Sequence, residues 1–290
     1  MNENYRKFLL EGQQAGLRYG IGTPERIGRG LIGSHLGAGT GSSLDFMDHR
    51  EYEPGDDLRR IDWNAYARSD KLTIKLYRDE ISPHVDIILD VSRSMAIKGT
   101  EKARAALGLS ALFAQAACNN NFTFATWQAG QICDKIMNAS DQPQAWDGIE
   151  FNYRAGCDES FRSQFPGWRN KGIRILISDL LWIGDPRSTM SVLSEGASTV
   201  YVVQLLAAVD AEPEFAGNLR LIDSEDDNSR EMFIDAIQLA RYKQRLNEHQ
   251  QNWSRSCRQF GAKMATIVAE EIVDGWHLDK LVLSEILKVL

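Results

Sequence analysis

The chain is poor in the features that most directly announce a function. Its 290 residues include four cysteines, Cys118, Cys133, Cys157 and Cys257, with no C-x-x-C pair among them. With no secretory context, that spacing reads as reduced, buried thiols in a reducing cytoplasm. No apolar run is long enough to cross a bilayer, and the early patch Phe8-Leu9-Leu10 is too short for a signal segment. Basic charge is lacking as well: 33 Lys and Arg against 40 Asp and Glu leave a net charge of -7. With a pI near 5.4 and basic residues dispersed among acids, there is no electrostatic footprint for nucleic acid.

The common catalytic signatures are missing too. There is no G-x-x-x-x-G-K-[ST] phosphate loop, no G-x-S-x-G elbow and no H-E-x-x-H among His35, His49, His84, His249 and His277. Gly28-Arg29-Gly30-Leu31-Ile32-Gly33 satisfies G-x-G-x-x-G. No apolar strand precedes it, however, and Gly37, Gly39 and Gly41 follow, so a loop is favoured over a dinucleotide site.

What is present is Asp90-Val91-Ser92-Arg93-Ser94-Met95, directly after the apolar run Val85, Ile87, Ile88, Leu89. In an extended segment residues i, i+2 and i+4 point the same way, so Asp90, Ser92 and Ser94 can offer a carboxylate and two hydroxyls to one point. Hard oxygen donors suit Mg²⁺ or Mn²⁺. A helix is expected next, with Leu109, Leu112, Phe113, Ala116 and Ala117 on one stripe. A second apolar run, Ile173 to Ile177, ends in Ser178-Asp179 and brings another carboxylate to a strand end. The same residue types also serve turns and helix starts, so both readings stay open.

The length allows one large domain or a domain with an extension. Residues 1–81 read as an amino-terminal extension, glycine-rich and then β-rich, with little helical pattern. Over 82–290 strands and helices alternate: strand 85–90, helix 100–118, strand 122–127, a short strand at 131–137, helix 158–168, strand 173–178, helix 187–195, strands 199–206 and 218–223. A long helix follows, with Leu239, Tyr242, Leu246, Trp253 and Phe260 on one stripe. A strand at 263–269 and a terminal helix at 277–290 close the pattern. Alternation of this kind predicts an α/β fold with a doubly wound, mostly parallel sheet.

From Arg50 through Glu53-Pro54-Gly55-Asp56-Asp57-Leu58-Arg59-Arg60-Ile61-Asp62-Trp63 to Arg68, then Lys75 to Glu80 and on to Asp90, the sequence resembles the bacterial family called domain of unknown function 58. The likeness extends to Leu219–Asp223 and the helix from Tyr242 to Cys257. Read locally, the dense acids and arginines of this block cap turns and pair with one another. The family is related to von Willebrand factor A domains, and the resemblance implies a metal-ion-dependent adhesion site that recruits a partner's carboxylate. Residue by residue, Asp90, Ser92 and Ser94 match its first motif and Asp179 its later aspartate. Cys157 stands about where the family has a threonine ligand, a substitution that weakens metal affinity unless Asp158 or water compensates.

Some family members carry membrane helices that this chain lacks. The family's association with MoxR-type AAA+ ATPases suggests a metal-mediated adaptor or co-chaperone. The expectation is therefore a cytoplasmic, non-enzymatic, Mg²⁺- or Mn²⁺-dependent protein-binding module. A metal-dependent hydrolase built on Asp90 and Asp179, or a scaffold with a vestigial site, are the alternatives.

Overall fold

The computed structural model describes residues 3–22, 44–79, 83–154, 156–163, 165–224 and 228–290. The glycine motif at 28–33 lies outside them. In chain order the elements are α1 (Glu3–Gly16), β1 (Tyr19–Ile21), β2 (Leu44–Glu51), α2 (Trp63–Ser69), β3 (Thr73–Asp79) and β4 (His84–Asp90). Then come α3 (Lys102–Asn119), β5 (Thr123–Ala129), β6 (Cys133–Lys135), α4 (Cys157–Ser163), β7 (Ile173–Ser178), α5 (Pro186–Ser194) and β8 (Thr199–Leu206). The last third holds α6 (Ala208–Ala211), β9 (Gly217–Ile222), β10 (Ser229–Ile234), α7 (Ala236–Gln259), β11 (Lys263–Val268), α8 (Ala269–Gly275), α9 (Asp279–Leu283) and β12 (Leu287–Val289). The chain divides into two compact units, one made of residues 1–22 with 83–290 and the other of residues 23–82.

The larger unit is built on a six-stranded sheet of order β11-β8-β7-β4-β5-β6. All its pairs are parallel except β5 with β6. β4 and β7 are buried at every position, because a parallel strand covered by helices on both faces must be apolar throughout. After β4 the chain builds β5 and β6 on one side, then returns to place β7 on the other side. That reversal is a topological switch point, at the carboxyl ends of β4 and β7, the position at which open α/β sheets bind ligands.

The mixed α/β architecture with a mostly parallel central sheet is the one the alternating pattern predicts. Three details differ. Residues 3–16, placed by the sequence in an extension with little helical pattern, form α1, and β1 pairs with β12. Phe8, Leu9, Gly12 and Gly16 recur at helical spacing, but two of the four are glycines, which read as breakers. The expected terminal helix is the short α9 followed by β12, because Glu285 adopts a left-handed φ of 55° and ends the helix. β10 lies where the sequence suggests only the lead into a long helix, and it closes a hairpin with β9.

In the smaller unit β2 and β3 pair antiparallel, with a register shift between Phe46 and Asp48. Asp62 caps α2, accepting from the amides of Asn64 at 2.9 Å and Ala65 at 3.1 Å, and meets His49 Nε2 at 2.7 Å. These contacts, His49 first, hold its carboxyl at about 2. Asp56 takes Arg50 at 2.6 Å, while Asp57 caps the turn Leu58–Arg60 and binds Arg59. The acid-rich block thus serves local caps and ion pairs, as its local reading expects.

α3 is buried along almost its whole length, with α1 packed across it. The crossing is close because both helices contribute glycine. A side-chain carbon on Gly12 would run into the carbonyl of Gly108, and one on Gly108 would stand 2.7 Å from Trp276 Cη2 and 3.1 Å from Phe8. Gly12→Ala and Gly108→Ala are therefore each expected to destabilise the protein by about 1–3 kcal/mol in urea unfolding, outweighing the roughly 1 kcal/mol of helix propensity that alanine brings. Unchanged or raised stability would show that the helices separate at no cost.

Candidate functional site

β4 and β7 run in parallel register, Leu89 opposite Ile177, so their ends bring Asp90 level with Ser178. Ser178 Oγ donates to Asp90 Oδ2 at 2.5 Å, and the Ser92 amide donates to Asp90 Oδ1 at 2.9 Å. Asp90 is fully buried. The chain after it is pinned by two backbone bonds, Arg93 N to Tyr153 O at 2.8 Å and Tyr153 N to Val91 O at 3.3 Å. Ser92 occupies the cap position of the 3₁₀ turn Arg93–Ala96 without making a side-chain cap bond. Its hydroxyl instead meets that of Ser94 at 3.0 Å. The structure thus brings together Asp90, Ser92 and Ser94, and adds Ser178.

Asp179 lies one residue past β7, nearly as buried as Asp90, but its carboxylate is otherwise engaged. Oδ1 accepts from the Leu181 amide at 3.1 Å, and Oδ2 accepts from Lys102 Nζ at 3.0 Å. Lys102 is itself completely buried and reaches Asp210 Oδ2 at 3.1 Å as well. The Asp179 carbonyl takes a bond from Gln204 Nε2 at 3.1 Å, and the next carbonyl, of Leu180, accepts from His249 Nε2 at 2.6 Å.

Sequence reasoning missed Lys102, Asp210 and the role of Ser178. A signal existed for Lys102: it falls at helical spacing with Ala105, Ala106, Leu109 and Phe113, all buried, so a lysine stands on the core stripe. Asp210 follows β8 in the one-turn helix α6 and carries no comparable signature.

The electrostatics of the two carboxylates diverge. Asp90 is pushed up to about 7, first by burial and second by the charge of Asp179, against the pull of Ser178 and Ser92. Lys102 is opposed by burial, yet Asp179 and Asp210 outweigh it and hold the ammonium above the usual lysine range. Cys157, at the start of α4, is completely buried, and its thiol is driven well up by burial and then by Asp90 and Asp158. It therefore stays protonated and is a poor donor to a hard cation. Asp158 does not stand in for it here, because its carboxylate is taken by Arg162 at 2.6 Å.

Residues 48–142 match the family model described as protein of unknown function DUF58. That stretch contains Asp90, Ser92, Ser94 and Lys102 and stops short of Cys157 and Asp179. Uncharacterized proteins of Mycobacterium bovis and Mycobacterium tuberculosis are each 26% identical over 257 residues, spanning 82% of this chain and 78% of theirs. Among solved structures, the conserved hypothetical protein BatB from Bacteroides thetaiotaomicron is similar at 11% identity and a TM-score of 0.35, over 70% of this chain and 98% of that one. An aerotolerance-related membrane protein from Bacteroides fragilis gives 12% and 0.27, over 62% and 98%. Among the described residues no helix is long and apolar enough to cross a membrane.

A carboxyl whose folded-state pKa lies above its unfolded value binds its proton more tightly when folded. Its contribution to stability is present below the unfolded value and lost as pH rises from about 4 to about 7. With chelator present, Asp90→Asn is therefore expected to be more stable than the parent above pH 7, on the order of 1–3 kcal/mol, the gain shrinking toward pH 4. A melting comparison that shows no pH-dependent gain would mean that Asp90 ionises without penalty.

Proposed function

We propose that the carboxyl ends of β4 and β7 form a divalent-cation site through which the chain binds a protein partner bearing an Asp or Glu side chain. The observation that carries this reading is Asp90. It is a fully buried carboxylate to which, among the described residues, a serine hydroxyl and an amide are hydrogen-bonded but no cationic side chain. Ser92 and Ser94 converge beside it, with Ser92 not spent on capping. A carboxylate with neutral hydroxyls fits a hard cation such as Mg²⁺ or Mn²⁺. Asp90, Ser92 and Ser94 would hold it, with Asp179 behind them.

Bound there, the cation would supply residual positive charge and an open position for a carboxylate from outside the chain. The rest of the work belongs to the protein. β4 fixes Asp90, the bonds to Tyr153 fix the serine-bearing turn, and Ser178 orients one carboxylate oxygen. Likeness to the von Willebrand factor A domain and a MoxR-type AAA+ ATPase as partner rest on the family resemblance alone. On that basis the chain is an adaptor or co-chaperone, and recruitment, not turnover, is its activity.

Calorimetric titration with Mn²⁺ or Mg²⁺ is expected to show weak binding that Asp90→Ala abolishes while the circular dichroism spectrum is unchanged. Cys157→Thr, which exchanges a protonated thiol for a hydroxyl, is expected to tighten it several-fold. Capture of a carboxylate-bearing partner should weaken with chelator and with Asp90→Ala alike. Absence of divalent binding at millimolar metal, or a partner held equally in all three conditions, would overturn the cation-bridge reading.

A further inference from the structure

Lys102 sits where several ordinary costs coincide. It is the first residue of an 18-residue helix, where a positive charge opposes the helix dipole. It lies on the apolar stripe that faces the sheet, and its ammonium is withdrawn from water. What holds it there is a pair of carboxylates, Asp179 Oδ2 at 3.0 Å and Asp210 Oδ2 at 3.1 Å, which come from the segments following β7 and β8. Asp210 in turn accepts from the Ala207 amide at 3.0 Å. The ammonium is thus a built-in cation, anchored on two sides, and one of its anchors is the aspartate that lies beside the proposed metal ligands.

We infer that Lys102 is a resident counter-cation that keeps Asp179 out of the donor set and so sets the cation site to low affinity. The inference rests on the cation-site reading above and deepens it. Two positive centres competing for one carboxylate repel each other, and inside a protein that repulsion is poorly screened. With Asp179 committed to Lys102, Asp90 is the single carboxylate left to a metal, and two serine hydroxyls add no charge. Such a site fills readily only when a partner's carboxylate completes the shell. Metal occupancy and docking are then coupled, each raising the affinity for the other by the same factor.

The test is Mn²⁺ calorimetry on the parent chain, Lys102→Gln, Lys102→Met, Asp210→Asn and Asp90→Ala, with a melting curve for each. Lys102→Gln keeps an amide able to donate to both aspartates, which protects the fold while removing the charge. Both lysine variants are expected to bind Mn²⁺ at least ten-fold more tightly than the parent, while Asp210→Asn, which retains the ammonium on Asp179, shows no tightening. A parent that binds metal through Asp90 with lysine variants no tighter would reduce Lys102 to a structural tie and overturn this inference alone. Equal tightening in Asp210→Asn would assign the effect to loosening of the loops and overturn it as well. If neither the parent nor the lysine variants bind, the inference and the cation reading both fall.

Discussion

Two carboxylates buried at the ends of neighbouring strands repel each other, and the surroundings of Asp90 and Asp179 are arranged around that constraint. Removing a charge from water costs several kcal/mol, so a like-charged pair needs something to take up the charge. Here the two are treated differently. Asp179 receives an ammonium, itself shared with Asp210, and an amide. Asp90 receives a serine hydroxyl and an amide. One carboxylate is thereby neutralised, and the other keeps an unbalanced demand for positive charge at a point ringed by hydroxyls.

The fold makes that imbalance possible by holding every participant on a rigid element. Asp90 and Ser178 close strands buried on all sides, so neither can turn away toward water. Lys102 is fixed because α3 is clamped: α1 crosses it at Gly12 and Gly108, and Trp276 closes over the same spot. The small residues at a helix crossing far from the site therefore matter to its chemistry, since displacing α3 would displace the ammonium. The strand order reverses here, since the chain leaves β4 for β5 on one side and later returns with β7 on the other, and ligands of open α/β sheets bind at such a reversal.

Much of this was legible in the sequence, for identifiable reasons. Ile87-Ile88-Leu89-Asp90 and Ile175-Leu176-Ile177-Ser178 are unbroken apolar runs stopped by a polar residue, a pattern that a buried parallel strand enforces. The grouping of Ser92 with Ser94 was expected from spacing in extended chain, but Ser94 lies in the 3₁₀ turn Arg93–Ala96 and meets Ser92 through that turn. The helix α1 was hidden because glycine has a poor helix propensity, and only the tertiary crossing explains why it is used there. The strand β12 was hidden because Leu287-Lys288-Val289 gains its partner from β1, over 250 residues earlier, and no local signal encodes that pairing. Lys102 was visible as an anomaly on an apolar stripe, but its partners come from after β7 and after β8 and become apparent only once those ends are brought together.

The strand β4 also contains its own control. Asp86, four residues before Asp90, is equally buried. Its Oδ1 accepts from Trp127 Nε1 at 2.8 Å and lies 3.3 Å from His84 Nε2, while Oδ2 accepts from the Arg169 amide at 3.2 Å. The guanidinium of Arg174, stacked 4.6 Å above Trp168, adds a positive field on the same side. Burial is common to both aspartates, so burial cannot be what distinguishes them. The difference lies in the partners: nitrogen donors from several elements and the Arg174 guanidinium surround Asp86, whereas Asp90 faces hydroxyls and a second carboxylate. One buried aspartate of the strand is thus satisfied by nitrogen donors while the other, at the strand's carboxyl end, is left short of positive charge, and that shortage is what the proposed cation would answer.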